Sequence, residues 1–87
     1  MRHARPEALD RIEPLLAQIR AFPRLTERSR GVFYLKSKAF LHFHEDPAGL
    51  FADIRTPDGT DFDRFEVSEP AGEAALLARV SALAGSA

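Results

Sequence analysis

From Pro6 to Phe22 the apolar residues Leu9, Ile12, Leu15, Leu16, Ile19 and Phe22 recur every three or four positions. That spacing predicts an amphipathic helix with one buried stripe. Asp10 and Glu13 stand at capping-box spacing, with Asp in place of Ser or Thr. Pro14 has no N–H for the helical ladder, and its ring crowds residue 10. The helix therefore begins near Asp10 or kinks there, and Pro23 ends it.

The pattern then shortens to a period of two. Gly31–Lys36, Ala39–Glu45 and Leu50–Arg55 read as strands. Asp46-Pro47-Ala48-Gly49 has Asp, Pro and Gly at the first, second and fourth places of a tight turn. If Glu45 faces Leu50 across it, Leu41, Phe43, Leu50, Ala52 and Ile54 share one face. Phe40, His42, His44, Phe51, Asp53 and Arg55 then share the other, and a one-residue slip would mix the two sets. A three-residue loop at Lys36–Lys38 directs Phe33 and Leu35 to the core, whereas a two-residue loop directs Val32 and Tyr34 there. The first is preferred because it keeps the core face apolar.

Thr56-Pro57-Asp58-Gly59-Thr60 marks a second turn. DFDRFEV follows as a fourth strand, but Phe62 and Phe65, three apart, cannot face one way in a straight strand, which predicts a bulge. Ser68 is placed to cap a final helix with Glu69 and Pro70 in its first turn and Leu76, Leu77, Val80 and Leu83 as its stripe. Gly85-Ser86-Ala87 reads as a frayed end. The expectation is a single α+β domain over residues 1–87: an antiparallel four-stranded meander with an N-terminal and a C-terminal helix (α-β-β-β-β-α). With both helices on one side of the sheet, its other side is open.

Composition adds limits. The 87 residues are 45% hydrophobic and 29% charged, as in a globular domain with one core. No apolar run is long enough to span a membrane. The opening MRHARPEALDRIEP lacks a signal peptide's apolar centre, so the cytoplasm is the expected location. The absence of cysteine excludes disulfides and thiol chemistry. The net charge of −1 conceals a division: Arg24, Arg28, Arg30, Lys36 and Lys38 oppose only Glu27 within residues 24–38, while nine acids oppose Arg55 and Arg64 within residues 39–73. Such a division can attract an anion or a second copy of the chain.

The run AFPRLTERSRGVFYLKSKAFLHFHED resembles the opening of the MmcQ/YjbR family of small, largely uncharacterised bacterial proteins. The resemblance rests on Phe22-Pro23, Thr26-Glu27, Gly31, Phe33 and Ser37-Lys38 and covers about residues 9–55. Ser37 stands where that family has Gly. The resemblance implies an α+β fold and a suggested association with DNA, and it brings no catalytic motif to this chain.

The candidate chemistry follows from the open face. Phe40, His42, His44, Phe51, Asp53 and Arg55 mix aromatic and charged groups as protein interfaces do, so the expected function is a non-enzymatic binding or assembly module, a homodimer or a partner of another protein. No catalytic residue and no cofactor is expected, because no hydroxyl sits in a recognisable nucleophile motif. One alternative is weak nucleic-acid binding through Arg28, Arg30, Lys36 and Lys38, although a pI near 6.3 is low for a dedicated binder. A second alternative is a small metal site at His42 and His44, whose side chains point the same way on a strand, with Asp53 as third ligand.

Overall fold

The computed structural model describes residues 2–85 and orders them as β1 (Arg2–His3), α1 (Pro6–Arg11), α2 (Glu13–Arg20), β2 (Leu25–Ser29), β3 (Val32–Leu35), β4 (Lys38–Asp46), β5 (Gly49–Arg55), β6 (Phe62–Glu66) and α3 (Pro70–Ala84). The fold is α+β, with strand order β2-β3-β4-β5-β6 and every pairing antiparallel. The sheet has six strands rather than the four expected. β1 was too short for any pattern to reveal, and it pairs with β4 at His3–His44. β2 escaped because only Leu25 in it is apolar. Its other half-buried position holds Glu27, which accepts from the Arg20 guanidinium of α2 and from the Gly31 N–H. The frayed end expected at Ser86 and Ala87 lies outside the described residues.

The β4–β5 hairpin has the expected register, with Glu45 opposite Leu50 and His42 opposite Asp53. The Ala48 N–H donates to Asp46 Oδ1 inside the turn. Gly49 closes it at φ +145, and a Cβ there would clash with Ser68 Oγ. Leu41, Phe43, Ala52 and Ile54 are fully buried and join Leu9, Leu15, Leu16, Ile19, Leu76 and Val80 in one core. All three helices thus pack on the same side of the sheet. Burying each of the larger of these side chains contributes about 1.5–3 kcal/mol, so alternation in this hairpin decides which side the helices occupy.

The first hairpin departs from expectation in an instructive way. Leu35 pairs with Lys38, so the loop is the two-residue Lys36-Ser37, both at positive φ (+53 and +67). These angles belong to the tight hairpin turn whose twist matches its strands. Unbroken pairing from that loop would send Val32 to the core. Instead the register shifts between Phe33 and Tyr34, setting Phe33 opposite Leu41. The additional residue is Phe40. It is only 2% exposed and belongs to the core rather than to the open face. A bulge directs it inward, where it shares a cleft with Leu35 and Leu83.

Other local expectations are also revised. β6 pairs regularly from Phe51–Glu66 to Arg55–Phe62 and has no bulge; Phe65 packs against the core while Phe62 lies on the opposite face. The N-terminal helix begins at Pro6 rather than near Asp10, and the kink expected from Pro14 is present as a break at Ile12 (φ −116, ψ 20). Asp10 caps nothing and pairs with Arg30 instead. Ser68 does not cap α3, whose N-cap is Glu69; its hydroxyl accepts the Leu50 N–H and ties β5 to the start of that helix.

A left-handed conformation costs a non-glycine residue about 1–2 kcal/mol, part of which glycine returns through its freer unfolded chain. Ser37→Gly is therefore expected to raise stability by roughly 0.5–1 kcal/mol in urea denaturation. An unchanged or lower midpoint would contradict the left-handed turn.

Candidate functional site: the outer sheet face

Among the described residues no helix packs on the side of the sheet opposite the core. β4 contributes His42 and His44 to this side, β5 contributes Phe51, Asp53 and Arg55, and β6 contributes Phe62 and Arg64. The rings form a continuous row. His3 and His44 have centroids 6.5 Å apart, His44 and His42 are 4.8 Å apart, and His42 and Phe62 are 5.4 Å apart. The Arg55 guanidinium closes the row 4.6 Å above Phe62 and donates to the carbonyls of Ala39 and Gly59. On the far side Arg28 lies 4.4 Å from the Tyr34 ring.

Of the expected contact residues, the structure brings together His42, His44, Phe51, Asp53 and Arg55 and removes Phe40. It adds His3, Phe62 and Arg64. Phe62 and Arg64 could have been found by continuing the period of two through DFDRFEV; two phenylalanines three apart obscured it.

Asp53 is the electrostatic centre. It is the one buried charged residue among those described, at 8% exposure. Arg64 donates from Nε to Oδ1 at 2.8 Å and from its terminal nitrogen to Oδ2 at 3.0 Å, a two-pronged pair. His44 Nε2 lies 3.2 Å from the same Oδ2. The Arg64 hydrogen bonds hold the Asp53 carboxyl below the usual carboxylate range against the opposing effect of burial. Burial, reinforced by the neighbouring His44, pushes His42 below the ordinary imidazole value. His44 Nδ1 is buried without a hydrogen-bond partner. The three side chains His42, His44 and Asp53 each offer a ligand atom within 4.8 Å of the others.

The basic segment does not form one patch. Arg30 reaches across to Asp10 and Glu13, both at 2.8 Å, and so belongs to an ion-pair cluster with the N-terminal helices. Arg28 lies on the outer face. Lys36 in the first hairpin turn and Lys38 just after it line, with Arg24 and Arg55, a cleft of about 350 Å³ floored by Leu35, Phe40 and Leu83, with Asp58 as its acid.

No protein-family model matches the chain, and no curated protein and no solved structure matches it. No helix among the described residues is long and apolar enough to cross a membrane.

The two shifted groups set a pH dependence. A histidine held below its ordinary value in the fold binds its proton more readily when unfolded, so its contribution is complete above about pH 6.5 and declines on acidification through its folded value. Asp53 acts in the same direction at lower pH, its contribution present above the usual carboxylate value and lost as pH falls through the depressed one. The urea midpoint should therefore fall from pH 7 to 5, and His42→Gln should flatten that slope while leaving the loss below pH 4 in place. An identical slope in the variant would show that His42 is not the group responsible.

Proposed function

We propose that the chain is a non-enzymatic assembly module of the cytoplasm that pairs with a second copy of itself through the outer face of its sheet. One observation carries the reading: half-exposed Phe51, Phe62 and Tyr34 lie on a sheet face that no helix covers, among Arg28, Arg55 and Arg64. Aromatic residues and arginine are the groups enriched at protein interfaces. The face also carries the exposed Glu66, so a two-fold axis can set a basic group of one copy against this acid of the other. Strands about 4.8 Å apart and about 3.4 Å per residue give five strands of five residues a flat area of roughly 400 Å². Doubled over two partners, that is below the ~1,200 Å² of stable complexes, so the dimer is a weak one that forms at high concentration.

The non-enzymatic part is in keeping with three of the hydroxyls. Those of Thr56 and Thr60 bond to Asp58, and that of Ser68 accepts from Leu50; none of these meets a histidine. The resemblance to the MmcQ/YjbR family, which brought no catalytic motif, is in keeping with this. A second reading is favoured by the cleft at the first hairpin, where Arg24, Lys36, Lys38 and Arg55 converge: weak binding of a single nucleic-acid strand, with phosphates on the rim.

Sedimentation equilibrium should show mass rising from one chain to two with increasing concentration, and Phe51→Asp, at a half-exposed position, should remain folded and monomeric. A wild-type monomer at the highest soluble concentration would end the proposal. For the second reading, a short DNA strand should bind more weakly as salt rises, and Lys36→Glu with Lys38→Glu should abolish binding. No binding in about 50 mM salt would remove it.

A further inference from the structure

We propose that His42, His44 and Asp53 bind one divalent ion of the zinc class. The geometry comes from the hairpin. Two histidines two residues apart on β4 point the same way, and register sets Asp53 directly opposite His42 and diagonal to His44. Donors about 2.0–2.1 Å from a tetrahedral ion lie about 3.4 Å from one another. His44 Nε2 and Asp53 Oδ2, 3.2 Å apart, already form such an edge. With all three donor atoms within 4.8 Å, His42 completes the set by a side-chain rotation on the open face, with no movement of the backbone.

The salt bridge to Arg64 supports the site rather than blocking it. A carboxylate has about four acceptor positions on its two oxygens. Arg64 uses one on each, which leaves Oδ2 free to bind an ion on the side facing His44. An arginine that fixes a ligating carboxylate is the kind of outer partner on which metal affinity depends. Two imidazoles with one carboxylate suit zinc, cobalt, nickel or copper; magnesium and calcium take oxygen ligands. Three protein donors leave a fourth position for water.

The test is a zinc titration of the full chain after chelator treatment, followed by calorimetry and by the imidazole nitrogen signals of His42 and His44. Expected are one ion per chain, simultaneous shifts of both histidines, and a dissociation constant at least tenfold higher in His42→Gln and in His44→Gln, each shown to be folded by circular dichroism. Arg64→Ala should weaken binding by about tenfold or more while leaving both histidines in place. The same titration in Tyr34→Asp, on β3 opposite Ala39 and away from the three donors, separates this site from self-association: zinc binding should persist where that variant is monomeric. Absence of saturable binding up to about 1 mM zinc, the range of even a weak site, would overturn the proposal, as would wild-type affinity in the double histidine variant.

Discussion

The register of the β4–β5 hairpin is the constraint on which the rest of this molecule depends. A strand's side chains alternate strictly, so pairing Glu45 with Leu50 assigns every neighbour to a side. Leu41, Phe43, Ala52 and Ile54 go to the helices, and His42, His44, Phe51 and Asp53 go to the opposite side. A slip of one residue would reverse one strand against the other and turn either the two imidazoles of β4 or the Asp53 carboxylate of β5 toward Leu16 and Ile19, at a cost no local hydrogen bond could offset. The Asp46 side chain and Gly49 hold this register at the turn, and Ser68 holds it from the far end of the chain.

The outer face illustrates how a carboxylate survives near-complete burial. Asp53 is compensated by a two-pronged arginine from the next strand and by an imidazole from the previous one. The arginine is half in water, so its solvation is largely retained and the pair is inexpensive to form. The same screening limits what the pair adds to stability, to about 1 kcal/mol or less. Its larger role is orientation, since it holds both carboxylate oxygens, with Oδ2 beside His44 Nε2.

Much of this was legible in the sequence because burial imposes a period. The helical stripe Leu9–Ile19, the central hairpin, its turn and its register all follow from apolar spacing, and so does the grouping of His42, His44 and Asp53. What escaped reading lacked such a period. β2 uses Glu27 where an apolar residue would have announced a strand, and β1 is two residues long. Phe40 was misplaced because a bulge breaks alternation at one residue, and in β6 a bulge was inferred where none exists. Ion pairs such as Arg30 with Asp10 and Glu13 join residues distant in sequence, so a run of basic residues could not reveal that its members part company in space.

β4 is flanked on one side by β5 along its outer half, while its other side is shared by β3 near Lys38–Leu41 and β1 near His44–Glu45. These two flanking pieces are unequal: one is a hairpin, the other a dipeptide anchored by the Ala4 N–H on the Phe43 carbonyl and by Arg5 on Glu45. Detaching so short a piece breaks few bonds, and it bares backbone donors and acceptors along the stretch that carries His44. The histidine end of the sheet is accordingly held on that side by its shortest pairing, Arg2–Glu45 and His3–His44.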